Sequence, residues 1–144
     1  MKRILAVLTG LLTLVFVSKA DEKPIKFEQL PSAAQKLIKD KLHKDKVVYV
    51  LKDDDIIFPE YEVYLESGTK VTFFNDGKLE SIKAGSAGMP KGIVPQQIVT
   101  YVAANHPGFP IVEFEIDRNT YEVSLSNGME LKFSSGFQLL AVDD

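Results

Sequence analysis

Residues 121–133 read YEVSLSNGMELKF, and residues 61–73 read YEVYLESGTKVTF. In the later stretch Tyr121, Val123 and Leu125 alternate with Glu122, Ser124 and Ser126, and Leu131 and Phe133 alternate with Glu130 and Lys132. Period-two alternation predicts two half-buried strands. Asn127-Gly128 suggests a two-residue turn, but that turn sets Leu125 opposite Glu130 and mixes core with solvent on one face. A one-residue slip turns every side chain over. The loop must therefore be Ser126-Asn127-Gly128, with Leu125 facing Met129, Val123 facing Leu131 and Tyr121 facing Phe133. Gly128 then takes the left-handed position of a bulged turn. The earlier stretch obeys the same rule: Glu66-Ser67-Gly68 is the loop, Val63 faces Val71 and Tyr61 faces Phe73. Asn75-Asp76-Gly77 makes the next turn and sets Phe73 opposite Leu79. Around Ser134-Ser135-Gly136 the register stays open, with Phe137 or Leu139 opposite Phe133.

The likeness runs upstream. Leu30-Pro31 corresponds to Val94-Pro95, and each opens a helical pattern: Leu30, Ala34, Leu37, Ile38 and Leu42, then Val94, Ile98, Tyr101 and Val102. Proline suits a helix start, where its missing N–H costs nothing. His106-Pro107-Gly108 ends the second helix. Strands follow at Val47–Leu51 and Ile111–Asp117, the latter with Val112, Phe114 and Ile116 set inward. About four extra residues within KDDDIIFPE (52–60) reduce the spacing between copies from 64 to 60. The expected fold class is α+β: a tandem repeat of one helix plus about four antiparallel strands, at about 26–83 and 93–144, joined by the small-residue linker 84–92. One unit is too small to cover itself; two units form one wider antiparallel sheet with both helices on one face, a single domain over 21–144.

Residues 1–20 read as a secretory signal peptide: Lys2 and Arg3, an apolar run from Ile4 to Val17, and small Ser18 and Ala20 before a cut at Asp21. The run falls short of the ~20 residues that span a bilayer. Removing Lys2, Arg3 and Lys19 lowers the net charge from −3 to −6. An acidic, exported chain points to the periplasm or full secretion and away from nucleic acid or an anionic membrane surface. With no Cys, disulfides, thiolate metal sites and thiol catalysis are excluded.

LPSAAQKLI (30–38), VPQQIV (94–99) and the two YEV stretches resemble the PepSY-like, beta-lactamase-inhibitor-like family of exported bacterial proteins, over nearly all of residues 26–144. The resemblance implies helices behind a curved antiparallel sheet and an open sheet face presented to a protein partner. It carries no catalytic motif.

The residues themselves offer little chemistry. His43 and His106 sit near helix ends in different copies, and Asp53-Asp54-Asp55 lacks the alternating acids, the glycine and the distal Glu of a calcium loop. No catalytic residue, cofactor or metal site is expected. The informative surface is the face away from the helices. The first copy shows Val47, Tyr49 and Leu51, then Glu62 and Tyr64, then Lys70, Thr72 and Phe74; the second shows Glu113, Glu115, Glu122, Ser124 and Lys132. Aromatic side chains within a charged border suit recognition. The candidate binding residues are Tyr49, Leu51, Glu62, Tyr64, Phe74, Glu113, Glu115, Glu122 and Lys132, unless Ile56-Ile57-Phe58 folds over them. The expected function is a non-catalytic exported binding module, inhibitor-like, whose acidic rim steers a basic protein or peptide. The alternative is a small-molecule or lipid carrier with an enclosed apolar pocket.

Overall fold

The structure is a computed structural model that describes residues 22–55 and 57–144; the expected signal peptide lies outside the described residues. Nine strands form one antiparallel sheet in chain order: β1 (Glu22–Ile25), β2 (Val47–Asp53), β3 (Glu60–Leu65), β4 (Lys70–Phe74), β5 (Leu79–Lys83), β6 (Ile111–Asp117), β7 (Thr120–Leu125), β8 (Glu130–Ser134) and β9 (Leu139–Asp143). Helix α1 (Ser32–Lys41) lies between β1 and β2, and α2 (Gln96–Asn105) between β5 and β6. The architecture is α+β.

Both helices meet the same face of the sheet, called the back. Leu30, Ala34, Ile38 and Leu42 from α1 and its ends, and Val94, Ile98 and Val102 from α2 and its approach, share one buried cluster with the inward residues of the strands. Pro31 and Pro95 stand just before the first helical residues. An unbroken apolar row crosses the back through all nine strands: Ile25, Val50, Val63, Val71, Ile82, Phe114, Val123, Leu131 and Val142 are paired in succession. Pairing β5 with β6 carries the row from the first half of the chain into the second.

The expected hairpin registers are found. Val63 pairs with Val71 and Tyr61 with Phe73; Val123 pairs with Leu131 and Tyr121 with Phe133. Gly68 and Gly128 both have φ +90, and their N–H groups donate to Leu65 and Leu125 carbonyls at 2.9 Å. Phe73 pairs with Leu79, and in the last hairpin Leu139 faces Phe133. That last turn is centred one residue later than its sequence suggests. Phe137, not a glycine, takes the left-handed position at φ 68 and stacks on Tyr121 at 5.6 Å. Ring stacking in this geometry offsets part of the backbone strain.

Three expectations are corrected. β1 adds a ninth strand that alternation does not reveal in EKPI; among the described residues it is an edge strand, where a proline such as Pro24 is tolerated. A bulge between Val47 and Tyr49 turns Val47 inward against the core, leaves Val48 exposed and keeps Tyr49 outward. A matching bulge between Ile111 and Glu113 makes Ile111, rather than Val112, the residue that pairs with inward Leu125.

The segment after β5 is tied to the β3–β4 loop. Asp45 accepts from the Ser67 hydroxyl at 2.5 Å, Ser67 bonds Thr69 at 2.8 Å, and the Gly85 N–H donates to Thr69 Oγ1 at 3.0 Å. A Cβ on Gly85 would collide with the Ser67 carbonyl oxygen and the Gly68 backbone, so glycine is required there.

Leu131→Ala, in the middle of the back, is expected to cost about 2–4 kcal/mol. Phe74→Ala, on the opposite side, is expected to cost less than about 1 kcal/mol. Urea unfolding measures both, and equal losses would contradict the assignment of faces.

Candidate functional site

Among the described residues both helices pack on the back, which leaves the front of the sheet without a helical layer, although its side chains shield one another and Thr72 at its centre is only 5% exposed. Ile57 and Phe58 are 74% and 75% exposed, so these two residues of the β2–β3 loop do not cover it. Because side chains alternate, the residues flanking the apolar row all point forward. One forward row runs Pro24, Leu51, Glu62, Thr72, Ser81, Glu115, Glu122, Lys132, Ala141. A second runs Tyr49, Tyr64, Lys70, Lys83, Glu113, Ser124, Glu130, Asp143.

The centre of the first half of this face satisfies itself. Tyr49 and Tyr64 stack with centroids 4.4 Å apart. The Tyr64 hydroxyl donates to Glu62 Oε1 at 3.1 Å, and Lys70 Nζ pairs with Glu62 Oε2 at 2.8 Å. The same ammonium lies 5.8 Å from the Tyr64 ring centroid. Glu62 raises the Lys70 pKa through this bond, while partial burial, then the Glu62 charge, raises that of Tyr64. The result is a preorganised aromatic platform with its charge balanced. At its upper corner Glu60 faces Glu80. Desolvation, then repulsion and a shared hydrogen bond with Glu80, raises Glu60 to about 7.

The second half does not balance its charge. Glu115 lies directly opposite Glu122, with Glu113 and Glu130 beside them. Like charges opposite one another across strands are destabilising. Among the described residues none of the four carboxylates has an ion-pair partner. Desolvation, then the hydrogen bond to Glu113 and repulsion from its neighbours, pushes Glu115 up to about 7. Glu122 is also raised, by desolvation and then by its hydrogen bond to Glu130; Lys132 opposes the rise.

All nine candidate residues lie on the front. Tyr49, Leu51, Glu62 and Tyr64 adjoin one another on β2 and β3, and Phe74 stands one strand away opposite Glu60. Glu113, Glu115, Glu122 and Lys132 form a separate group on β6 to β8. Sequence reasoning omitted Glu130, although its alternation with Leu131 marks it as forward. It also omitted Glu60 and Glu80; Glu80 sits at a bulge in the β4–β5 pairing, which alternation does not show.

The acidic run 53–55 is committed to local structure. Asp54 pairs with Lys23 and Lys52 at 3.5 and 3.4 Å. Asp55 accepts from the Ile57 and Phe58 N–H groups, which lower its pKa. Among the described residues no cluster of three or more His, Cys, Asp or Glu is arranged to hold a metal ion, and no helix is long and apolar enough to cross a membrane.

An open antiparallel sheet with helices on one side and a bare, charged front defines an α+β scaffold with one large exposed strand surface. A sequence model for the family described as "Putative beta-lactamase-inhibitor-like, PepSY-like" matches residues 59–141. The chain belongs to this PepSY-like family. A solved protein of Bacteroides thetaiotaomicron, described as a "putative calcium-regulated periplasmic protein", is 36% identical with TM-score 0.83, over 86% of this chain and 98% of that one. A "putative periplasmic protein" of Bacteroides vulgatus is 34% identical with TM-score 0.80, over 87% and 98%. A second B. vulgatus protein, described as of unknown function, is 29% identical with TM-score 0.78, over 85% and 99%. None of the curated proteins matches the sequence.

Glu60 and Glu115 bind protons more tightly in the folded protein than at their ordinary value of 4.5. Their contribution to stability is therefore fully present below that value and is lost as the pH rises through about 7. Thermal melting followed by circular dichroism is expected to give a lower Tm at about pH 8 than at about pH 5. Glu60→Gln combined with Glu115→Gln should flatten that profile; an unchanged slope would count against it.

Proposed function

We propose that the protein is a non-catalytic, exported binding module whose front face receives a basic protein or peptide. The carrying observation is the juxtaposition of Glu115 and Glu122 across β6 and β7, flanked by Glu113 and Glu130. A sheet that only needed to fold would not gather four carboxylates around two lysines, Lys132 opposite Glu122 and Lys83 opposite Glu113, neither of which closes an ion pair with them. Folded structures retain such local conflict where a function needs it. A partner's Lys or Arg side chains would relieve the repulsion, and the Tyr49–Tyr64 platform, with Leu51 and Phe74, offers apolar contact on the same face two to four strands away. Lys83, between Lys70 and Glu113, marks the border between the two regions.

This reading takes residues 1–20 as a signal peptide removed before the protein acts in the periplasm or outside the cell. It takes the rest as one domain of two repeats, about 26–83 and 93–144, with linker 84–92. Equal ten-residue helices offset by 64 residues, and strands β3–β5 and β7–β9 offset by 60, support the duplication. A small-molecule or lipid carrier is the second reading; the expected enclosed pocket is not what lies along α2, but an open apolar groove there supports this reading.

Fluorescence anisotropy with a labelled peptide alternating Lys and Val tests the first reading. Binding by residues 21–144 is expected to weaken about tenfold in Glu115→Gln/Glu122→Gln and to fall steeply with salt. Tyr64→Ala should weaken it by a smaller factor. Equal binding by the neutralised variant would refute the acidic docking surface. Calcium, which the description of the B. thetaiotaomicron protein mentions, is the competing occupant. Stoichiometric calcium uptake lost in the same variant, without peptide binding, would assign the carboxylates to the ion.

A further inference from the structure

On the helix side of the molecule, away from the front face, a groove of about 910 Å³ runs along the flank of α2. Met89, Ile93, Val99, Ala103, Phe109 and Ile111 supply most of its apolar wall. Phe109 is 43% exposed and Val99 37%, both at its rim. Its polar side chains are few: Lys91 and Gln96 near the start of α2, and His106 at the far end. The chain holds 20 Asp and Glu residues, yet among the described residues none of them lines the groove, and Lys91 is the one ammonium in its wall.

The first half of the chain shows what this flank looks like when filled. The residues 64 positions earlier than Lys91, Val99, Ala103 and Phe109 are Phe27, Gln35, Lys39 and Asp45. There the Phe27 ring packs against the core, with Lys39 Nζ 5.7 Å from its centroid. Gln35 Nε2 donates to the Glu28 and Leu30 carbonyls at 3.0 and 2.9 Å. Asp45 anchors the Ser67 hydroxyl. The second half replaces the aromatic plug with a flexible lysine and its cationic lid with a methyl group. It also exchanges the two polar tethers, Gln35 and Asp45, for Val99 and Phe109. The wall becomes apolar and the plug is gone. An aliphatic chain could lie where Phe27 lies in the first half, and Lys91 stands at the end where a charged head would emerge.

We infer that the α2 groove binds an amphiphile with one aliphatic chain and one carboxylate head, the head paired with Lys91 and the chain laid along Val99 and Ala103 toward Phe109. The volume suits a ligand of this size, and a cation without a competing carboxylate selects an anionic head. This inference rests on the carrier reading and adds the ligand's chemistry to it.

Titration calorimetry of residues 21–144 with laurate, below its micellar concentration, tests the inference beside monolaurin, which has the same chain and a neutral head. Laurate is expected to bind one per chain and more tightly than monolaurin. Lys91→Gln should weaken laurate about tenfold and leave monolaurin unchanged. Val99→Gln with Ala103→Lys, the residues of the first half at surface positions, should abolish both while circular dichroism shows an unchanged fold. Glu115→Gln/Glu122→Gln on the front should have no effect. Equal affinity for the two ligands, or indifference to Lys91→Gln, would overturn the carboxylate assignment and leave the carrier reading standing. No binding of either, or binding that survives the double substitution at Val99 and Ala103, would overturn both.

Discussion

The apolar row from Ile25 to Val142 is the constraint on which the rest depends. Its seven inner members, from Val50 to Leu131, are buried beneath the two helices. Alternation leaves no freedom once that row is set: the next residue on each strand must face forward. The three-residue loops closed by Gly68 and Gly128 preserve this parity through both long hairpins. The charged front is thus the obligatory reverse of the core. Its particular side chains are free to vary, because the back carries the packing energy.

Hairpin parity was readable in the sequence because burial and turn chemistry agreed. Val63–Val71 and Val123–Leu131 follow from alternation plus a single glycine each. What was not readable are the places where local rules conflict. Val48 and Val112 look like ordinary strand residues, and only the pairing of Tyr49 with Tyr64 and Glu113 with Ser124 reveals the bulges. Phe137 occupies a position that favours glycine, held by its stack on Tyr121, so the last register has no local signature. EKPI contains too little pattern to mark a strand. For the site, parity placed all nine candidates on the front. The apposition of Glu115 with Glu122 was not foreseen, because it depends on how β6 meets β7 after the bulge.

The two halves differ in how completely they satisfy themselves. In the first, Glu62 has Lys70 and Tyr64, Thr69 has Ser67 and Gly85, and Phe27 fills the flank of α1. In the second, the corresponding regions hold like-charged carboxylates and an open apolar wall. Groups that the fold leaves unmatched are the ones available to something outside the chain. By this criterion the second half leaves more of its groups unmatched than the first, where the exception is the Glu60–Glu80 pair.

Strand order has a temporal consequence. Among the described residues every sheet contact joins strands adjacent along the chain, and no pairing closes β9 onto β1. The longest excursions between paired strands are the two that contain α1 and α2. Such a meander keeps loop-closure entropy low and favours rapid assembly. Each strand finds its template already in place as the polypeptide lengthens, so the sheet can grow in the direction of synthesis. The apolar row can then zip from the amino-terminal end, with each helix already made when the four strands that follow it in the chain assemble against it.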